Sequence, residues 1–294
     1  MPDMEDDAPP PPMTVARALT IAGSDSGGGA GIQADLKTFA AFGVYGASAI
    51  TAVTAQNTLA VTDWVAMPLD LVAAQIDAVL TDIGADAVKT GMLANAGVIE
   101  VVAAKMREHG VGNLVVDPVM AAKGGHALLE PDAVGCLVRE LLPLALVATP
   151  NIPEAEMLTN RSIKTLDDVR GAARQIVEMG ARSVVVKGGH FDDPAVAMDV
   201  YFDGQSFHDF TSIRVDTMNT HGTGCTFASA IAASLAKGMA QRDAIALAKS
   251  YVTLAIQHAY PIGSGHGPVH HFYRYYQPIG QKYRAGRPIP TGGR

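Results

Sequence analysis

The feature that most restricts what this chain can become is an alternation. Short apolar runs at 18–22, 47–54, 85–90, 113–117, 144–148 and 183–187 are separated by stretches whose apolar residues recur at helical spacing. Runs of this kind are what strands covered on both faces require. Strand, helix and strand in succession imply right-handed crossovers and a mostly parallel central sheet with helices on both faces. Helices are expected at 31–41, 95–109, 131–142, 167–179 and 243–259, with a short one after Pro153. Another is expected near 72–83, where Val72, Ile76, Val79 and Ile83 share one face. An alternating segment at 61–67 reads as a further strand, and 197–202 and 206–213 read as an antiparallel pair turning at Asp203-Gly204. The expected fold class is α/β, with a few antiparallel strands near the C-terminal half. Ligands on such sheets sit at the carboxyl ends of the strands.

Composition narrows the partners. Lys and Arg number 22 against 29 Asp and Glu, a formal net charge of −7, and no basic run exceeds an isolated pair. A nucleic acid or a membrane surface is therefore not the expected partner. With 48% hydrophobic residues the chain can bury a sizeable core. Cys136 and Cys225 lie far apart, without CxxC or metal-ligand spacing, which suits a reducing, cytoplasmic setting. Residues 1–15 are acidic and proline-rich, with neither the basic start nor the apolar middle of a signal peptide, and are expected to form a disordered leader. Residues 276–294 read as a loose tail, leaving 16–275 as a single domain. No apolar run approaches the roughly 20 residues needed to cross a bilayer.

The stretch Asn219-Thr-His-Gly-Thr-Gly-Cys-Thr-Phe-Ala-Ser-Ala230 is a glycine turn that breaks into a helix. Gly222 and Gly224 allow close approach of a ligand to the main chain. The first amides of the helix lack internal partners, and with the helix dipole they make an anion site. Cys225 stands in the first turn, where the same field is expected to lower its thiol pKa. Taken alone, the residues equally describe a helix cap and a small buried cysteine. A second glycine-rich loop holds Gly29-x-Gly31-x-x-Ala34, but it follows its strand too loosely for a dinucleotide fingerprint, and 49–53 offers no acid for a ribose. A GxxxxGK[ST] loop is absent.

Eight motifs occur in order: Ala22-Gly-Ser-Asp-Ser-Gly-Gly-Gly-Ala-Gly-Ile-Gln-Ala-Asp-Leu-Lys-Thr-Phe39, Thr54-Ala-Gln-Asn-Thr58, Lys89-Thr-Gly-Met-Leu93, Asp117-Pro-Val-Met120, Thr149-Pro-Asn-Ile-Pro-Glu154, Val186-Lys-Gly-Gly-His190, Asn219-Thr-His-Gly-Thr-Gly-Cys225 and Gly267-Pro-Val-His-His271. Together they resemble the hydroxymethylpyrimidine kinase/phosphomethylpyrimidine kinase family of thiamin biosynthesis, within the ribokinase-like superfamily. The resemblance spans about 17–273.

It implies two ATP-dependent transfers in one site, to the hydroxymethylpyrimidine and then to its monophosphate. It also implies Gly222, Thr223, Gly224 and Cys225 around the phosphoryl group, with Cys225 as the base for the first transfer. Gln56, Gly23, Asp35 and Met92 are implied on the substrate side, where a Gln amide matches the amine and ring nitrogen of an aminopyrimidine. Lys187, Thr220 and Lys249 are implied near the nucleotide. Asp117, Glu154 and Asn151 are implied as oxygen ligands of Mg²⁺, partly through water.

From sequence alone Asp35 is as well described as a solvated helix acid, and Glu154 as a helix-start acid. His190 and His221 receive no role beyond polar walls. One departure is Ser26-Gly27, where relatives often carry Pro-Ser. The alternative within enzymes is a pyridoxal kinase, or dual specificity; outside enzymes it is a binding protein on the same scaffold. Relatives of this type are commonly homodimers.

Overall fold

The computed structural model describes residues 14–121, 128–130, 133–189 and 195–275. The expected leader and tail fall almost wholly outside these residues, as does His190. One nine-stranded sheet runs through the molecule in the order β3-β2-β1-β4-β5-β6-β7-β8-β9. Its parallel centre is β2 (Tyr45–Gln56), β1 (Arg17–Asp25), β4 (Ala87–Thr90), β5 (Leu114–Val116), β6 (Val147–Ala148) and β7 (Val184–Gly189). These are the apolar runs of the sequence; β1 and β4 to β7 are largely buried, as strands covered by helices on both faces must be, whereas in β2 Tyr45, Val53 and Ala55 are exposed. The antiparallel pair β8 (Val196–Phe202) and β9 (Phe207–Ile213) extends one edge as expected. The other edge, β3 (Val61–Ala66), is antiparallel too, so such strands are not confined to the C-terminal half.

One face of the sheet packs against α2 (Leu69–Ala78), α3 (Ala96–Glu108), α5 (Ile152–Thr159) and α6 (Leu166–Glu178). The other face packs against α1 (Gly31–Ala41), α7 (Thr223–Ala236) and α8 (Gln241–Gln257). Every residue of α7 from Thr226 to Leu235 is buried. Its alanines let it lie between the sheet, α1 and α8, as a helix apolar all round does.

The helix expected over 131–142 is broken. A short α4 (Ala133–Cys136) widens into a π-turn at Leu137–Leu141 and tightens into a 3₁₀ turn at Leu142–Leu144. Pro143 supplies no amide hydrogen and cannot continue an α-helix there, and the strand that follows shrinks to Val147–Ala148. A π-turn likewise ends the 72–83 segment at Val79–Ile83. No helix among the described residues is long and apolar enough to cross a membrane.

The parallel order brings six strand ends to one edge. Gly23 to Asp25, Gln56, Lys89 to Met92, Asp117, Asn151 and Lys187 all leave the sheet there, facing the start of α7.

Candidate active site

The start of α7 is built by glycine. Gly222 caps the helix at φ 77°, and a side chain there would run into the carbonyl oxygen of Gly29. The two glycine loops therefore touch main chain to main chain, which only glycine permits. Thr223 turns its hydroxyl back to the Thr220 carbonyl at 2.7 Å, and the first helical bond runs from the Thr226 amide to Gly222. Among the described residues the Gly224 and Cys225 amides have no acceptor, which leaves two aligned donors for an anion.

Those donors open into a cavity of about 310 Å³. Lys187 and Asp117 flank them: a Cβ placed on Gly224 would lie 3.4 Å from Lys187 Nζ and 3.9 Å from Asp117 Oδ2. Lys187 Nζ donates to Asp117 Oδ1 at 2.8 Å, and Thr149 adds a hydroxyl to the same oxygen at 3.1 Å. Burial works to lower the Lys187 pKa, but the carboxylates of Asp117 and Glu154 outweigh it and hold the amine protonated. Gln56, Gly23, Met92, His221 and Thr220 line the cavity as well. Gly23 is packed so closely that a Cβ there would stand 2.9 Å from Met92 Sδ.

Two expectations are corrected by geometry. Asp35 does not reach the cavity. It is sealed at 0% exposure beneath Lys89, which binds both its oxygens at 2.9 Å, while Thr20 and Ser229 each donate a hydroxyl at 2.6 Å. Lys89 lines the cavity in its place. Burial alone would lower its pKa, but Asp35, with Cys225 and Asp117, raises it, so it stays cationic.

Lys249 is not a wall of the cavity either. It pairs with Asp199 at 2.9 Å, and Asp199 in turn accepts from the Gly188 amide at 2.9 Å, so the lysine braces the strand that carries Lys187. Asn151 lines the cavity with Glu154 and is tied to it. Its side-chain oxygen accepts from the Glu154 amide while Glu154 Oε2 accepts from the Asn151 amide, both at 2.8 Å, in a reciprocal capping box.

The thiol is the third correction, and it is electrostatic. Cys225 is half-buried and lines the cavity, but burial pushes its pKa up to about 11. Lys89 and the Gly31 amide pull it down, and Asp35 and Asp117 push it back up. Glu154 behaves alike: burial raises its carboxyl to about 7, against the pull of Lys187 and with the push of Asp117.

Sequence reasoning missed Asp25. It is 2% exposed and accepts from the amides of Gly27, Gly29 and Ala30, and from His221. Burial tends to raise its pKa, but the His221 bond and the loop amides lower it on balance. The signal was an aspartate directly ahead of a glycine run, the sign of a side chain folding back on its own loop. Among the described residues the one close trio of His, Cys, Asp or Glu is Asp77, Glu108 and His109, at the other end of the sheet, where Lys105 already bridges the two acids.

Comparison with known proteins then bears on the chemistry. The family model described as phosphomethylpyrimidine kinase matches residues 25–270. The hydroxymethylpyrimidine/phosphomethylpyrimidine kinase of Bacillus subtilis is 52% identical over 260 residues, 88% of this chain and 96% of that one. The thiamine biosynthesis bifunctional protein ThiED of Geobacter sulfurreducens is 54% identical over 260 residues, 88% of this chain and 53% of that one. The pyridoxal kinase of Staphylococcus aureus, solved with AMP-PCP and pyridoxal, is similar at a TM-score of 0.81 and 37% identity, covering 88% of this chain and 94% of that one.

Proposed function

The chain belongs to the phosphomethylpyrimidine kinase family, and from that premise we propose that it phosphorylates 4-amino-5-hydroxymethyl-2-methylpyrimidine with ATP, then phosphorylates the monophosphate to the diphosphate, for thiamin biosynthesis. One observation carries the reading: a single cavity joins the free amides of Gly224 and Cys225, the Lys187 ammonium and the amide of Gln56. Phosphoryl transfer asks little covalent chemistry of a protein; it asks for alignment and for donors where charge develops. The two amides hold the phosphoryl group in flight, and Lys187 meets it as a point charge. Gln56 reads the amine and ring nitrogen of the pyrimidine, while Gly23 and Met92 form the wall beside it. Thr220 stands on the nucleotide side of the turn.

Cys225 faces the acceptor. The hydroxymethyl group must lose a proton when it attacks, and the sulfur is placed to take it. In the second transfer the nucleophile is a phosphate oxygen, which carries no proton that must leave.

Mg²⁺ belongs to this reading. Asp117 Oδ2 accepts no hydrogen bond among the described residues, and the buried carboxyls of Asp117, Glu154 and Asp35 outnumber the amines of Lys187 and Lys89. Hard oxygen donors with excess negative charge fit a cation that keeps several waters. When bound it would neutralise phosphate charge.

The proposal takes 16–275 as one kinase domain and the active protein as a cytoplasmic homodimer. Val53 and Val65 support the dimer, being register partners on β2 and the edge strand β3 that are 43% and 63% exposed.

The test is ATP consumption with the hydroxymethylpyrimidine, its monophosphate and pyridoxal offered separately. Turnover with both pyrimidines and a lower kcat/KM for pyridoxal is the expected result. A higher kcat/KM for pyridoxal than for the hydroxymethylpyrimidine overturns it in favour of the pyridoxal kinases that share the fold.

A further inference from the structure

Gln56 sits between two neighbours that decide which way its amide can face. On one side is His221, whose Nε2 lies 2.9 Å from Asp25 Oδ2 and 3.3 Å from Gln56 Nε2. Asp25 already receives the Gly27, Gly29 and Ala30 amides at 2.8, 3.0 and 2.7 Å. A carboxylate supplied in this way accepts and cannot donate, so the hydrogen between it and His221 belongs to Nε2. On the other side is Thr54, whose Oγ1 lies 3.3 Å from Gln56 Oε1 and gives its single hydrogen to the Ser24 carbonyl at 2.8 Å.

With the Gln56 nitrogen toward His221, N–H would face N–H, and at Thr54 lone pair would face lone pair. A half-turn of the amide cures both at once. The oxygen then shares the His221 Nε2–H with Asp25 Oδ2 in a three-centre bond, and the NH₂ donates to Thr54 Oγ1. What remains for the cavity is one oxygen lone pair on the His221 side and one N–H on the Thr54 side.

We propose that Asp25 is a positioning residue: by fixing the His221 tautomer it fixes the direction of the Gln56 amide, and so the donor–acceptor order by which the pocket selects its substrate. This rests on Gln56 being the residue that meets the pyrimidine. The exocyclic amine then lies toward His221 and the ring nitrogen toward Thr54. An analogue with the order reversed, the 4-oxo pyrimidine with its carbonyl acceptor and ring N–H donor, meets two mismatched groups. Asp25 Oδ2 takes the Gly29 and Ala30 amides as well as His221, so only loss of the whole carboxylate removes the acceptor. Alanine at position 25 does so, which leaves the His221 tautomer free to change and lets the Gln56 amide reverse.

The experiment compares kcat/KM for the 4-amino substrate and its 4-oxo analogue in the wild type, Asp25→Ala and Gln56→Leu. The wild type should prefer the amino compound by about 10²-fold or more, since a site built to hydrogen-bond rejects a mismatched group strongly. In Asp25→Ala that ratio should fall below about tenfold. A ratio within about threefold of wild type in Asp25→Ala, alongside a raised pyrimidine KM in Gln56→Leu, overturns this proposal alone. An unaltered pyrimidine KM in Gln56→Leu overturns the placement of Gln56 and this proposal together. Whatever the fate of the variants, nitrogen-15 spectra of the wild-type His221 ring decide the tautomer: a protonated Nε2 upholds the proposal, and a neutral ring protonated at Nδ1 overturns it.

Discussion

Replacing Cys225 with alanine separates the two transfers that one cavity is proposed to perform. With its pKa at about 11, the thiol is about 3 to 4 pH steps from ionising at pH 7.5, a cost of roughly 5 kcal/mol. Few molecules therefore hold a thiolate, but each one that does holds a strong base beside the acceptor. Two consequences follow for the first transfer. Its single-turnover rate should climb about tenfold per pH unit between pH 6 and 9, because the thiolate fraction does so while the group stays far below its pKa. Cys225→Ala should slow it about 10²- to 10⁴-fold, the usual weight of a positioned base. The second transfer begins from an anionic phosphate oxygen, so the same substitution should change it by no more than about threefold, and its rate should not track the thiol. Rapid-quench single turnovers with each pyrimidine, in wild type and variant, read both effects without interference from product release. Equal losses for the two acceptors would refute the argument, and so would a first transfer indifferent to pH over that range.

Three further outcomes test the scaffold of the site. Gly222→Ala must place a side chain at φ 77° and against the Gly29 carbonyl, so both transfers should be lost together, with kcat falling for either pyrimidine. Asp35→Asn strands the Lys89 ammonium in a site with no solvent exposure and should cost about 3–5 kcal/mol in urea unfolding, whereas Asp35→Leu combined with Lys89→Met should recover most of it. Glu154 has a folded-state pKa of about 7, above its ordinary 4.5, so its contribution to stability is complete at low pH and is lost as pH rises through 7. The melting temperature of wild type relative to Glu154→Gln should accordingly fall between pH 5 and pH 8, and added Mg²⁺ should reverse that fall; a difference that ignores pH refutes the electrostatic account.

How much of this was legible in the chain depended on whether the cause was local. The parallel strands could be read because each is a short apolar run whose burial is a property of its own residues, and the glycine turn at 222–225 because φ and close approach are decided on the spot. The break after Cys136 was less visible, since the apolar spacing of 131–142 continues across Leu137 to Leu141 and only Pro143 gives a warning. Lys89 was legible in principle: a lysine inside Ala87-Val88-Lys89-Thr90 is out of place in a buried strand and demands a partner. The partner, Asp35, is 54 positions away on α1, and no spacing rule names it.

Cys225 shows why local rules can also mislead. The field at a helix start stabilises a negative charge by at most about 2 kcal/mol, or about 1.5 pH steps. That local term argued for a reactive thiolate. The fold instead buries the sulfur and brings the carboxylates of Asp35 and Asp117 near it from two other elements, with Lys89 opposing them, and the sum drives the thiol up to about 11. A charge at the crossing of α1, β4, β5 and α7 is set by the topology that makes the crossing, so the sequence around Cys225 can place the sulfur but not its protonation. Phosphates entering the cavity add further negative charge and push in the same direction unless Lys187 and a divalent cation absorb it, so proton acceptance by Cys225 depends on how completely those cations neutralise the nucleotide.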